Sequence, residues 1–266
     1  MSEFRALVRA AWLTAASYRF GMIMSIAGLV VVLFPLYFIA NALQPTMQGA
    51  IGNEANQYFA FVAIGAAVFS LASTCATALP SALDGAISRG TFEAMLGTPA
   101  RVRSICAGMM GYPLLWGMLR ATIVVGAAIL LGARLSWHGL PAGVLVLALT
   151  MLSYVGFGLI FGALILAFRT TGFATTAVLT GSMFLGGVYY PTKVIPSWIS
   201  NLSSVFPLTY GLRALRQLVL RDASLFSVAT DIEKLVGLSL LLLAVGAGLI
   251  AVSLRYARRA GTLASY

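Results

Sequence analysis

The sequence predicts an all-α fold, a polytopic membrane bundle of six transmembrane helices with shorter helices at its faces. Three observations predict it. Hydrophobic residues make up 60% of the 266 residues and charged residues only 9%, against about 25% charged in a soluble domain. The mean hydropathy is +0.96, too apolar to coat a water-facing globule. The apolar residues also fall into runs near the roughly 20 residues that a spanning helix needs, with arginines gathered at the ends of the runs. No polar stretch is long enough for a separate soluble domain, so 1–266 reads as one transmembrane domain.

Taken in order, residues 2–19 predict an amphipathic helix. Phe4, Leu7, Val8, Ala11, Trp12 and Ala15 recur at helical spacing, with Arg5 and Arg9 to one side. Such a helix rests in the membrane interface; the alternative is a plain lead-in to the first span. Spans are expected near 20–41, 57–80, 105–133, 140–168, 172–190 and 235–254. Pro35, Pro80 and Pro113 fall in or at the ends of spans, where proline bends a helix. Gly108, Gly111 and Gly117, and again Gly156, Gly158 and Gly162, suit close helix packing. Residues 191–233 are the exception. They are too long for a turn, too apolar for a free loop, and broken by Pro191, Pro196 and Pro207 into pieces too short to span. They suit a re-entrant hairpin, with a surface-lying loop as the alternative. Tyr189, Tyr190, Trp198 and Tyr210 fit an interfacial aromatic belt.

The net charge of +10 follows the positive-inside rule rather than a nucleic-acid surface. An inside N-terminus places ten basic residues in the cytosol and six outside, five of the six within 191–233 and the residue after it. Both termini are therefore expected in the cytosol, with the last span returning Arg255, Arg258 and Arg259 to that side. Cys75 and Cys106 lie in or beside apolar runs and do not suggest a disulfide framework. His138 is the single histidine, and no His/Cys/Asp/Glu cluster has metal-ligand spacing. No carboxylate falls inside an expected span, which argues against a relay of acids. The phosphate-loop pattern G-x-x-x-x-G-K-[ST] is absent. No metal, cofactor or catalytic residue is expected, and energy for any work on a substrate must come from a partner or a gradient.

Two constellations remain. The first, Asp84 to Arg101, contains Arg89-Gly90-Thr91-Phe92-Glu93-Ala94-Met95-Leu96-Gly97-Thr98-Pro99. It predicts a short helix capped by Thr91 and closed by Gly97 and Pro99, with Phe92, Met95 and Leu96 on one face. That face suits a partner's groove or the chain's own bundle. The second runs from Phe184-Leu185-Gly186-Gly187-Val188-Tyr189-Tyr190-Pro191 through Ile195-Pro196 to Phe206-Pro207-Leu208-Thr209-Tyr210-Gly211-Leu212-Arg213.

Together these resemble the type 2 ABC exporter permease family, ABC-2. That family shows R-G-T-x-E-x-[ML]-x-x-T-P after the second span. It later shows [LF]-x-G-x-x-[YF]-P, an I-P, and P-x-x-Y-x-x-x-x-[RL]-R. Both motifs stand here in the family's order, within a six-span frame. The resemblance implies an exporter permease without enzymatic activity of its own, with two copies pairing as a homodimer in a bacterial inner membrane. Each copy would bind a separate ATP-binding cassette subunit that carries the ATP and magnesium. Residues 84–101 would hold a cytosolic coupling helix, with Gly90, Thr91, Phe92, Glu93, Leu96, Thr98 and Pro99 at the ATPase and Phe92, Glu93 and Leu96 seated in its groove. The hairpin 191–233, with Tyr189, Tyr190, Pro191, Pro196, Pro207 and Tyr210, would gate the outer end. The turn Phe168-Arg169-Thr170-Thr171-Gly172 lacks the acid of O-antigen-type members, so drug, lipid and nodulation-factor-type exporters are nearer. The expected substrate is amphipathic or lipid-like. A permease for lipid-linked polysaccharide and a non-transporting scaffold or sensor are the alternatives.

Arg120 falls near the middle of the third span, where an arginine costs about 2.5–3.5 kcal/mol on insertion scales. Either it faces the pathway and meets an anionic head group, or it snorkels or bonds carbonyls beside the kink at Pro113.

Overall fold

The structure is a computed structural model and describes residues 12–13, 19–52, 54–98, 102–168, 172–192 and 201–259. The described residues are helical and contain no strand. Eight α-helices are designated α1 (Arg19–Ile51), α2 (Tyr58–Ser88), α3 (Thr91–Leu96), α4 (Val102–Leu130), α5 (Leu140–Phe168), α6 (Gly172–Leu185), α7 (Pro207–Arg221) and α8 (Ala229–Arg259), with a 3₁₀ turn at Leu225–Val228 between the last two.

Among the described residues, five helices are long and apolar enough to cross a membrane: α1, α2, α4, α5 and α8. The sixth expected span, 172–190, is represented by a shorter apolar helix, α6. It has 14 residues, roughly 21 Å at 1.5 Å per residue, against about 30 Å of hydrocarbon. It stops at Gly186-Gly187, where Gly187 takes φ +78°, a left-handed conformation that glycine adopts without steric cost. The chain nevertheless reaches the end of the bundle where α2 begins, since the Tyr58 hydroxyl donates to the Tyr189 carbonyl at 2.8 Å.

Other boundaries move outward. α1 continues ten residues past the expected end at 41, and α2 eight residues past 80 despite Pro80 inside it. Asp84 to Ser88 is therefore the last turn of α2, and not a loop. The longer helices also take in carboxylates, with Asp84 in α2 and Asp231 in the first turn of α8. Only α5 has its expected limits, 140–168. The interfacial helix expected over 2–19 lies outside the described residues, apart from Trp12 and Leu13. The Trp12 ring meets Tyr112 of α4 edge-on at 6.1 Å.

The bundle is organised around α2 and α5. α2 packs on α4 and α5, and α8 lies along α5. Glycine makes the α5–α8 contact close. A Cβ at Gly246 would stand 2.7 Å from the Leu159 Cβ, and one at Gly156 would stand 2.7 Å from the Leu242 Cβ. Small residues take this role in membranes because lipid is as apolar as a helix surface, so association rests on close packing. α1, by contrast, leans on α2 and α4 with most of its described surface exposed. α3 lies at one end of the bundle, and α7 with the turn after α6 at the other. These are called the α3 end and the α7 end below.

Candidate functional site

The α7 end is built on one buried arginine. Pro207 opens α7, where its missing N–H costs nothing. Leu208, Leu212, Leu215 and Val219 then recur on one face, which packs against α2, α5 and α8. Arg216 stands on that same apolar face and is only 1% exposed. Its guanidinium forks onto the turn that follows α6. Nη1 donates to the Gly187 carbonyl at 2.8 Å, and Nη2 donates to the Val188 carbonyl at 2.9 Å and to the Phe61 carbonyl of α2 at 3.0 Å. Nη1 also reaches Glu54 Oε2 at 3.4 Å, and Glu54 is itself 6% exposed. The guanidinium carbon lies 3.4 Å from the centre of the Phe61 ring, a cation–π arrangement.

A turn at this depth has carbonyls with no helical partner, and water is excluded from them. A planar guanidinium presents five donors in a fixed fork, so one side chain satisfies two such carbonyls together and ties them to the Phe61 carbonyl of α2. The approach needs Gly65, since a Cβ there would overlap the Val188 carbonyl oxygen and stand 2.6 Å from Arg216 Nη2.

Further bonds hold the same turn. Arg213, one helical turn before Arg216, donates to Thr192 Oγ1 at 3.3 Å and pairs with Asp231 of α8 at 3.4 Å. Ser182 of α6 receives the Tyr154 hydroxyl of α5 at 2.6 Å in the core. The backbone N–H of Tyr58, the first residue of α2, bonds Gln44 Oε1 of α1 at 2.6 Å.

The residues expected at the outer gate are thus partly assembled. Pro191 is buried, and Tyr189 and Tyr190 are half-buried in the turn. Pro207 starts α7. Tyr210 is a correction: it sits in the core rather than in an aromatic belt, with Lys234 Nζ 5.4 Å from its ring centre. Pro196 and Trp198 lie outside the described residues. The sequence reading counted Arg216 only as a far-side basic residue. Two signals pointed to it: a charge on the apolar face of an amphipathic helix, and its place at the end of the P-x-x-Y-x-x-x-x-[RL]-R pattern.

At the α3 end, α3 is a six-residue helix entered through Gly90 at φ +67°. Phe92 is a second correction. It is 4% exposed and packs among Leu79, Leu83, Leu166, Ile250 and Leu254, so it anchors α3 to its own bundle and cannot also fill a partner's groove. Nor does Thr91 cap α3, because its hydroxyl donates back to the Ala86 carbonyl at 3.1 Å. The exposed candidate residues here are Gly90, Thr91 and Thr98, with Ala94 and Gly97 beside them. Pro99 and the side chains of Glu93 and Leu96 lie outside the described residues.

Arg120 stands mid-way along α4, half-buried. Its Nε is buried without a hydrogen-bond partner among the described residues. It lies on the side of α4 away from Met118, Ala121 and Val125, the same side as Val124, which packs on Leu33 of α1. Among the described residues no group of three or more His, Cys, Asp or Glu could hold a metal.

Comparison with known proteins agrees with these motifs. The family profile described as ABC-2 type transporter matches residues 2–220. Nodulation protein J of Rhizobium leguminosarum bv. trifolii is 28% identical over 179 residues, 65% of this chain and 66% of that protein. The inner membrane transport permease YadH of Escherichia coli (strain K12) is 27% identical over 159 residues, 60% of this chain and 62% of that protein. Nodulation protein J of Rhizobium meliloti (strain 1021) is 27% identical over 130 residues, 49% of each. The chain spans between about half and two thirds of the length of these relatives.

Proposed function

The chain belongs to the ABC-2 type transporter family, and from that premise we propose that it is the membrane permease of an ATP-driven exporter whose ATP is hydrolysed by a separate subunit. The observation that carries the reading is the pairing of the two late family motifs in space. The glycine of one, Gly187, and the terminal arginine of the other, Arg216, meet at 2.8 Å. An arginine-clasped turn at one end of a bundle is a gate element with a defined closed state.

In this reading α6 and the turn 186–192 together make the sixth crossing, both termini lie in the cytosol, and the α7 end faces outward. Residues 191–233 form the re-entrant element over the outer end. Two copies pair around a central path in a bacterial inner membrane, and two ATPase subunits dock at the α3 end. The docking surface is the exposed side of α3, with Ala94, Gly97 and Thr98, while buried Phe92 ties α3 to the bundle, chiefly to α2. A push on α3 is then a push on α2. Arg120, whose buried Nε has no partner among the described residues, is the candidate contact for an anionic group on the cargo. The cargo is amphipathic or lipid-like. This is supported by the similarity to proteins named for nodulation and for inner-membrane transport and by the absence of an acid in the turn before α6.

Co-purification with a candidate ATP-binding cassette subunit tests the reading. The permease should retain that subunit and change its ATPase rate. Ala94→Arg combined with Thr98→Arg should abolish the pairing while the permease stays folded. Retained pairing in that variant would remove α3 as the docking site. Full export of an anionic cargo by Arg120→Gln would remove Arg120 from the path.

A further inference from the structure

α4 and α5 are consecutive helices joined by residues 131–139. Each packs on α2, yet the two scarcely touch one another. The gap between them is a cleft of about 370 Å³, within the range of about 300–1,000 Å³ typical of small-ligand sites. Its floor is α2 (Ile64, Val68) and its far end is α7 (Leu215, Val219). Its walls are Met118, Ala121 and Val125 of α4 and Leu140, Val144 and Leu147 of α5. Thr122 is the single polar residue lining it, and that hydroxyl is spent on the Met118 carbonyl at 2.9 Å. The lips, Met118 and Val144, are exposed on the flank of the bundle. There, in a bilayer, the solvent is acyl chain.

A second, polar pocket of about 120 Å³ adjoins the cleft at the α7 end, formed by Asn56, Gln57 and Arg134 with Ala55, Ala60 and Leu220. Neighbouring residues divide between the two cavities. Arg134 lines the polar pocket and Leu135 the cleft, Leu220 the polar pocket and Val219 the cleft, and Ala60 stands one helical turn from Ile64. The apolar slot is thus topped directly by polar groups. The Arg134 side chain makes no hydrogen bond or ion pair among the described residues, its backbone N–H alone being bound, to Gln57 at 3.2 Å. A second guanidinium, Arg221, reaches the pocket through Asn56 Oδ1 at 3.3 Å. The acid on this rim, Asp222, is engaged by the Ser136 hydroxyl at 2.6 Å. Trp137 is exposed on the same connection, as suits a side chain at headgroup level.

We infer that this paired cavity is a binding site for one membrane phospholipid, with an acyl chain in the α4–α5 cleft and the phosphate at Arg134 and Arg221. An apolar slot offers nothing to water and would otherwise lose dispersion contacts along its walls. Two arginines at its mouth select a phosphate, which a guanidinium binds through paired hydrogen bonds. The site lies on the α2–α4–α5 side, away from the face of α4 that carries Arg120, and does not depend on which cargo is exported.

The test is native mass spectrometry of the full chain released from detergent micelles after incubation with phosphatidylglycerol or with diacylglycerol, which lacks the phosphate. The wild type should retain one phosphatidylglycerol. Ala121→Phe should fill the slot and lower that occupancy about tenfold, a loss of about 1.4 kcal/mol of binding. Leu119→Phe, at an exposed position of α4 outside the slot, should leave it unchanged. Arg134→Gln with Arg221→Gln should lower retention of phosphatidylglycerol and leave that of diacylglycerol as it was. Thr122→Phe plugs the slot from its exposed side should Ala121→Phe not fold. Wild-type occupancy in a folded plugged variant would overturn the site, as would equal loss in Leu119→Phe. A tightly held protein in place of lipid would overturn it too.

Discussion

Replacing Arg216 with methionine should release the turn that follows α6 while leaving the five long helices in place. The side chain contributes four hydrogen bonds, to Gly187, Val188, Phe61 and Glu54. Methionine fills much of the same volume and makes none of them. Two costs then fall on the closed turn. Glu54 is left buried without its partner, and breaking a buried pair by removing one member costs about 3–5 kcal/mol. The Gly187 and Val188 carbonyls of the turn lose their donor, at about 1–3 kcal/mol each if they stay dry. Opening the turn to water relieves both, so the first figure sets the expected change: opening becomes easier by about two to three and a half orders of magnitude. The assay is the rate at which a thiol at Val188, fully buried in the closed turn, reacts with a maleimide in membranes. Cys75 and Cys106 would first be replaced by alanine. The Val188→Cys thiol should react slowly beside Arg216 and about a hundredfold faster or more beside Arg216→Met. Glu54→Gln should give a smaller rise, since a neutral amide still accepts a bond from Nη1. The double variant should react more slowly than the two single effects combined predict, because the charge that Arg216→Met strands is no longer present. A change below about threefold in a folded Arg216→Met protein would show that the turn is held by packing alone and refute the clasp.

Gly65→Ala should act on the same turn from the α2 side, because its Cβ has no room beside Val188 and Arg216. It should raise the same labelling rate without removing any charge. Gly246→Val should separate α8 from α5 and lower the midpoint of thermal aggregation in detergent, with overpacking costing about 1–3 kcal/mol. Gly248, which has open space around its Cβ position, should accept alanine without effect. Phe92→Ala should destabilise the folded permease by about 3–5 kcal/mol, read as a loss of monodisperse protein in size-exclusion chromatography. Ala94→Arg on the exposed side of α3 should leave that profile unchanged. Tyr154→Phe should leave the buried Ser182 hydroxyl without its donor and cost about 1–3 kcal/mol, measured as a lower melting midpoint.

The sequence by itself determined the class of the molecule. Nearly every long run of apolar residues is a helix, because a chain so poor in charge can satisfy its backbone in lipid only by bonding within each segment. The limits of α5 were legible to the residue, since polar turns bound a run with no proline beyond its first turn and no charge. The family motifs were also legible, in order and spacing. What a run of hydrophobic residues does not reveal is which face packs on protein and which on lipid, because the two environments are equally apolar. α1 and α2 read alike in sequence, yet α1 remains mostly exposed and α2 is the centre of the bundle. The same ambiguity hid Phe92, whose spacing fitted a partner's groove and its own bundle equally well. Pro80 did not end α2, because proline removes one bond of a helix whose neighbours hold it on both sides. α6 ended early at Gly186-Gly187, where hydropathy had run on to Tyr190. Arg216 was the largest omission. Its partners lie 28, 29, 155 and 162 residues away. The burial of a charge is decided by where distant carbonyls and one carboxylate come to rest, and local periodicity carries no record of that. Tertiary structure alone turned a basic residue of a late segment into the clasp of the turn.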